Sequence, residues 1–234
     1  MIAEKFSAIF SGLEEAYGTY EIQRQQANGK QAGQASVLRQ PRTQETWEGH
    51  LNGTGPAIGI IPINADNACK WGCIDIDQYN FDHKALINKI RQLKLPLVVC
   101  RSKSGGAHVF LFTDDWVPAK DMQEVLTHLC AALGYGGSEI FPKQITLNLD
   151  RGDVGNFLNT PYYDAEGGLR YAFNDDATAA TLDEFFELTD ESEEKYDYTV
   201  SWVDCASSGK NLGRGIFMRA NHSKEAPKKT HSDD

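Results

Sequence analysis

The chain has 234 residues, of which 41% are hydrophobic and 10% aromatic, and a formal net charge of −10. This supports a real core in one large domain or two small ones. No run approaches the ~18–20 apolar residues of a membrane-spanning helix, and the acidic balance argues against a general nucleic-acid binder.

Ile2, Phe6, Ile9, Phe10, Leu13 and Tyr17 recur at helical spacing, which predicts a helix over Ile2–Tyr17. The start lacks a basic region followed by a long apolar run, so no signal peptide is expected. Gly18–Gly55 is rich in Gln, Gly, Asn and Thr and reads as irregular, with short strands near Thr19–Gln23 and Ser36–Leu38. Ala57–Ile63 reads as a strand, Asn64–Asn67 as a turn and Trp71–Asp77 as the next strand, together a hairpin. A helix is predicted over Phe81–Leu93, stopped by Pro96.

Leu97–Arg101 and His108–Phe112 read as strands around the turn Ser102–Gly106. Pro118–Leu133 reads as a helix ending at Gly134. Glu139–Phe141, Phe157–Thr160 and Leu169–Phe173 follow as strands, and Leu182–Leu188 as a short amphipathic helix. Residues 1–206 are expected to form one domain, and Ser207–Asp234 a flexible tail or linker leading towards a further domain. Strands and helices alternate, but several connections are hairpins, so the fold class is α+β.

The five cysteines are scattered and odd in number, which suits a reduced, cytoplasmic chain with buried thiols. Cys69 and Cys73 have no second Cys/His pair at suitable spacing, so zinc is not expected. Acids dominate from Asp183 to Asp197, whereas the middle carries Arg91, Lys94, Arg101, Lys103, Lys143 and Arg151. The overall charge is therefore compatible with a local basic groove.

In CIDIDQY, Asp75 and Asp77 sit two apart in an apolar run. On a strand they share a face while Ile74 and Ile76 turn to the core. Two such charges repel by roughly 2–3 kcal/mol at an effective dielectric near 20. A divalent metal is the usual reason to place them together, and paired carboxylates holding Mg²⁺ or Mn²⁺ handle phosphates. The bland alternative is two exposed acids on a half-buried strand.

Downstream, RSKSGGAHVFLF surrounds a Gly105-Gly106 turn with Arg101, Lys103, Ser104 and His108. Backbone N–H groups of such a turn approach anions, and these side chains suit a triphosphate. GSEIFPKQ adds Glu139, a third carboxylate for a two-metal site, and Lys143 for a phosphate or template backbone. GDVGNFLNTPYY offers the amides of Asn156 and Asn159, and the faces of Tyr162 and Tyr163, to bases or sugars.

CIDIDQY, SKSGGAHVFLF, SEIFPKQ and GNFLNTPYY, in this order and spacing, resemble the archaeo-eukaryotic primase superfamily. The likeness is to primase-polymerase modules of phages and of TOTE-type conflict systems. It extends over roughly Gly18–Phe186, with His50-Leu-Asn-Gly53 and Ile58–Ile63 in the place of the family's approach segment.

The resemblance implies an RRM-like antiparallel sheet fused to an N-terminal αβ unit, with the active site in the cleft between them. It makes Asp75 and Asp77 the metal pair, Glu139 the third acid, Ser104 the motif serine and His108 a contact to the nucleotide's phosphates. Many relatives have Asp for the third acid, and one residue between serine and histidine where this chain has three. The resemblance further implies template-directed nucleotidyl transfer, with single-stranded DNA template, primer strand and NTP or dNTP as partners, and a replicative helicase domain in the same or a neighbouring chain.

Two other classes compete. Asp-x-Asp also serves glycosyltransferases and haloacid-dehalogenase-type phosphatases, but Gln78 and Tyr79 follow the motif here and no nucleotide-binding βαβ unit precedes it. A non-catalytic single-strand-binding module would stack bases on Phe110, Phe112, Tyr162 and Tyr163.

Overall fold

The computed structural model describes residues 2–25, 31–194, 198–203 and 215–220, with side chains described for 2–21 and 33–189. In chain order the elements are α1 (Ile2–Ile9), β1 (Tyr17–Gln25), β2 (Gln31–Leu38), α2 (Gln44–Leu51), β3 (Ala57–Ile60) and β4 (Ala68–Ile76). Then come α3 (His83–Gln92), β5 (Val98–Arg101), β6 (Ala107–Pro118), α4 (Ala119–Leu133), β7 (Glu139–Phe141) and β8 (Leu158–Asn159). The last are α5 (Leu182–Glu194), β9 (Tyr198–Val203) and β10 (Gly215–Ala220). The chain forms two compact units, Met1–Thr189 and Asp190–Asp234.

The first unit holds two antiparallel four-stranded sheets, ordered β2-β1-β3-β8 and β5-β6-β4-β7. Both faces of the second sheet are covered, and β4 shows why. Trp71 and Cys73 alternate with Gly72 and Ile74, so the two sets point to opposite sides. Trp71 and Cys73 join Phe6, Phe10, Phe110 and Phe185 in one aromatic core. Ile74 and Ile76 join Leu86, Ile87 and Ile90 of α3 and Met122 and Leu126 of α4 in another. Each such large buried side chain contributes roughly 1.5–3 kcal/mol. The aromatic core covers its face only as far as Cys73, and beyond it that face carries Asp75.

Four local expectations change. The first helix stops at Ile9, not Tyr17. A Cβ on Gly12 would lie 2.1 Å from the Ile61 carbonyl oxygen, which instead accepts the Leu13 N–H at 2.9 Å. Leu13 and Tyr17 remain buried, but in a loop and at the start of β1. A helix, α2, stands in the stretch read as irregular. Thr43 and Thr46 close a reciprocal capping box at its start, and Trp47 and His50 supply its buried face.

The predicted β3–β4 hairpin does not form. The turn is present, with Asn64 Oδ1 accepting from the Asp66 and Ala68 N–H groups. Its two arms part into different sheets, because β3 pairs with β1 and β8 while β4 pairs with β6 and β7. Leu169–Phe173 makes only single bridges, Cys100 with Ala172 and Phe173 with Ala179.

Cys69, Cys73, Cys100 and Cys130 are buried free thiols. No helix among the described residues is long and apolar enough to cross a membrane. In the second unit β9 and β10 pair antiparallel, so a strand stands within the stretch read as a tail. The expected boundary at 206 and the rest of that tail lie outside the described residues.

Candidate active site

Three strands of the second sheet assemble the acidic residues. Asp75 on β4 stands opposite His108 on β6 and opposite Glu139 on β7. Directly opposed residues share a face, so Glu139, Asp75 and His108 form one row. Asp77 lies two residues past Asp75, beyond the end of β4. Asp75 is half-buried, while Asp77 and Glu139 are exposed. Burial first, then the charges of Asp77 and Glu139, push the Asp75 carboxyl up to about 6; Lys143 and Lys103 pull the other way.

Each acid has a partner. His108 Nε2 lies 3.5 Å from Asp75 Oδ1. The Ser104 hydroxyl donates to Asp77 Oδ1 at 2.9 Å. Lys143 Nζ lies 2.8 Å from Glu139 Oε2. The His108 ring is pushed down to about 3, by burial first and the Arg170 charge second. It therefore meets Asp75 as a neutral imidazole at neutral pH, not as the cation of a salt bridge.

The turn before β6 brings Ser104 to Asp77. A Cβ on Gly106 would sit 2.1 Å from the Ile76 carbonyl oxygen, so only glycine lets the turn press against the end of β4. The Ser102 N–H donates to Gly106 O at 3.0 Å and the Gly105 N–H to Ser102 O at 3.1 Å. The Gly105 N–H thus closes the turn itself, where the sequence suggested that the N–H groups of the glycine turn would face an anion. Lys103 reaches the other way, with Nζ 3.6 Å from the centre of the Tyr20 ring. Arg101 Nη1 donates to Leu169 O at 3.0 Å, tying the segment before Tyr171 to the end of β5.

Among the described residues no group of three or more His, Cys, Asp or Glu side chains is gathered closely enough to hold a metal ion. The donor chemistry nevertheless suits a hard cation, which prefers carboxylate oxygens. Repulsion from Asp77 and Glu139 bears on Asp75, and a bound divalent ion would relieve it.

The sequence profile of the TOTE conflict system archaeo-eukaryotic primase domain matches residues 5–192. The chain belongs to this family. No curated protein matches it. The matched span is wider at both ends than the stretch that carried the resemblance, and it contains both sheets of the first unit.

Other expected contributors to this archaeo-eukaryotic primase domain lie apart from the row. Asn156 is exposed, and both its side-chain oxygen and its backbone N–H bond to Gln144. Tyr162 is no stacking platform: it is 1% exposed, and its hydroxyl binds Ala180 O at 3.0 Å and accepts the Ala172 N–H at 3.2 Å. Phe110 is likewise inside the aromatic core. His50, in the approach segment, is a buried structural histidine. Its Nδ1 accepts the Ile58 N–H at 2.9 Å, which leaves Nε2–H to donate to Pro161 O at 2.8 Å.

Sequence reasoning passed over Arg170 and Tyr20. Arg170 is 5% exposed, with its guanidinium 6.0 Å from the Tyr20 ring centre and 5.5 Å from that of Tyr163. It falls in the predicted strand Leu169–Phe173, where nothing local marks it as buried.

Proposed function

We propose that this domain is a template-directed nucleotidyltransferase, a DNA primase-polymerase that adds NTPs or dNTPs to a primer or an initiating nucleotide. The observation that carries the reading is the row Glu139–Asp75–His108, with Asp77 just past the end of β4, inside the primase family match. The succession β4-α3-β5-β6-α4-β7, with sheet order β5-β6-β4-β7, is the split-βαβ plan. It supports reading this half as RRM-like, with the β2-β1-β3-β8 sheet as the N-terminal αβ unit's contribution.

In this reading Asp75, Asp77 and Glu139 would hold Mg²⁺ or Mn²⁺, which would supply positive charge to favour ionisation of the attacking hydroxyl and departure of pyrophosphate. The hydroxyl oxygen bonds to the α-phosphorus as the bond to the β-phosphate oxygen breaks. Lys103, Arg101 and Lys143 supply positive charge around the phosphates, and positioning of this kind provides most catalysis in phosphoryl transfer. His108, neutral and fixed against Asp75, offers an N–H without adding charge. Ser104 orients Asp77. Asn156 would offer its side-chain amide to the nucleotide on giving up its bond to Gln144. Single-stranded DNA template, primer and nucleotide are the partners, and a helicase domain in the same or a neighbouring chain fits the role.

The test is extension on homopolymer templates, with and without primer, with Mn²⁺ and either NTPs or dNTPs. Asp75→Ala and Asp77→Ala should abolish products while circular dichroism stays native. Full activity in either variant overturns the proposal.

A further inference from the structure

Arg170 carries a charge that no described carboxylate answers. Both Nη atoms are buried without a hydrogen-bond partner. The groups that favour its charged form are Tyr20 and Tyr163, and no carboxylate stands among them. Burying a cation this way is strongly unfavourable unless an anion pairs with it. A guanidinium presents its donors in a rigid fork that fits phosphate oxygens two at a time.

Its place in the fold is equally specific. Ala172 bridges Cys100, Cys100 stands opposite His108, and His108 stands opposite Asp75. Arg170 lies two residues before Ala172, at the end of the row away from Glu139. Its charge is felt at His108. Lys103 Nζ lies over the same Tyr20 ring that Arg170 approaches. Two cations thus converge on Tyr20, and Glu139 stands at the far end of the row.

We infer that Arg170 is a phosphate-binding residue of this site, its two Nη groups gripping the polyphosphate of the incoming nucleotide while Tyr20 and Tyr163 hold the guanidinium plane. The inference rests on the nucleotidyl-transfer reading for the identity of the polyphosphate. It gives the nucleotide a direction: polyphosphate towards Arg170 and Lys103, reacting α-phosphate towards Asp75. A 5′-phosphate on a DNA strand offers the same chemistry, and the experiment separates the two.

Binding of inorganic tripolyphosphate, dATP and a 5′-phosphorylated oligonucleotide is measured by calorimetry and thermal shift on the full chain. Wild type should bind tripolyphosphate and melt higher with it. Arg170→Gln should weaken tripolyphosphate and dATP by about tenfold or more, leave the oligonucleotide unaffected, and melt at or above wild type without ligand. Arg170→Lys should fall between, because a point charge replaces the fork.

Tripolyphosphate that fails to stabilise wild type, or binds Arg170→Gln equally well, overturns the inference. So does an Arg170→Gln protein that melts well below wild type, or one that loses only the oligonucleotide. If wild type binds tripolyphosphate through Arg170 but extends no primer, the polymerase reading fails and this one stands. Normal extension by Arg170→Gln with unchanged nucleotide KM means the reverse.

Discussion

His108 faces Asp75 across the β4–β6 ladder, with Nε2 3.5 Å from Oδ1. Burial drives the two groups to opposite protonation habits. The imidazole is held neutral and the carboxyl is made reluctant to ionise. The pair stores unfavourable electrostatics at the place where the proposed metals and phosphates bind.

That cost is measurable at Asp75. Its folded pKa of about 6 lies above the ordinary 3.8, so the folded protein holds this proton more tightly than the unfolded chain. Stability from this group is therefore lost as pH rises through that window. At neutral pH the penalty is on the order of 1–3 kcal/mol, allowing for partial exposure. Asp75→Asn should stabilise the chelator-treated protein by that amount at about pH 7 and have little effect near pH 4. Urea unfolding at both pH values checks it, and an Asn variant no more stable at neutral pH contradicts it.

The two buried histidines act in the opposite sense. His50 is pushed down to about 4 and His108 to about 3, each mainly by burial. The unfolded chain takes up these protons first, so stability falls as pH drops below about 6.5. Two such groups outweigh one aspartate, so the metal-free protein should melt progressively lower between pH 7 and pH 4. His50→Gln should flatten that slope while lowering stability at pH 7 by about 1–3 kcal/mol through disturbed hydrogen bonds to Ile58 and Pro161. A melting curve independent of pH would argue against both assignments.

Lys143 offers a cleaner electrostatic test. Its ion pair with Glu139 is exposed, and such pairs contribute about 0–1 kcal/mol to stability. Lys143→Met should leave melting almost unchanged. It should raise the Asp75 pKa further, since Lys143 is among the charges that lower it. Carboxyl-carbon NMR titration reads the shift, and an unmoved Asp75 resonance would show that the two groups do not sense each other.

Gly106 is a steric requirement. A methyl group there meets the Ile76 carbonyl oxygen at 2.1 Å, and backbone cannot yield as a flexible side chain does. Gly106→Ala should cost about 2–4 kcal/mol and weaken nucleotide binding, because the Ser104–Asp77 contact depends on the turn's position. Chemical denaturation with a nucleotide titration decides it; wild-type stability would mean the turn is looser than described.

The alternation in Trp71–Asp77 was legible because side-chain direction on a strand has a period of two whatever the partner. The Ser102–Gly106 turn and the α4 helix were equally local, fixed by glycine and by a 3.6-residue repeat. The capped helix at Gln44–Leu51 was missed because its capping residues are polar and its buried face has only Trp47 and His50. The turn at Asn64–Asn67 is local too, but a good turn says nothing about which strands its arms will join, so no β3–β4 hairpin forms.

Sequence alone therefore determined that Asp75 turns away from the side of Ile74 and Ile76, that a glycine turn with basic residues follows, and that Glu139 lies on a short strand. Only the tertiary structure decided that Glu139 and His108 flank Asp75 and that Arg170 is buried beside the row without a described hydrogen-bond partner for its Nη atoms. Strand register and burial are sums over residues far apart in the chain. No local pattern around Arg170 contains that sum.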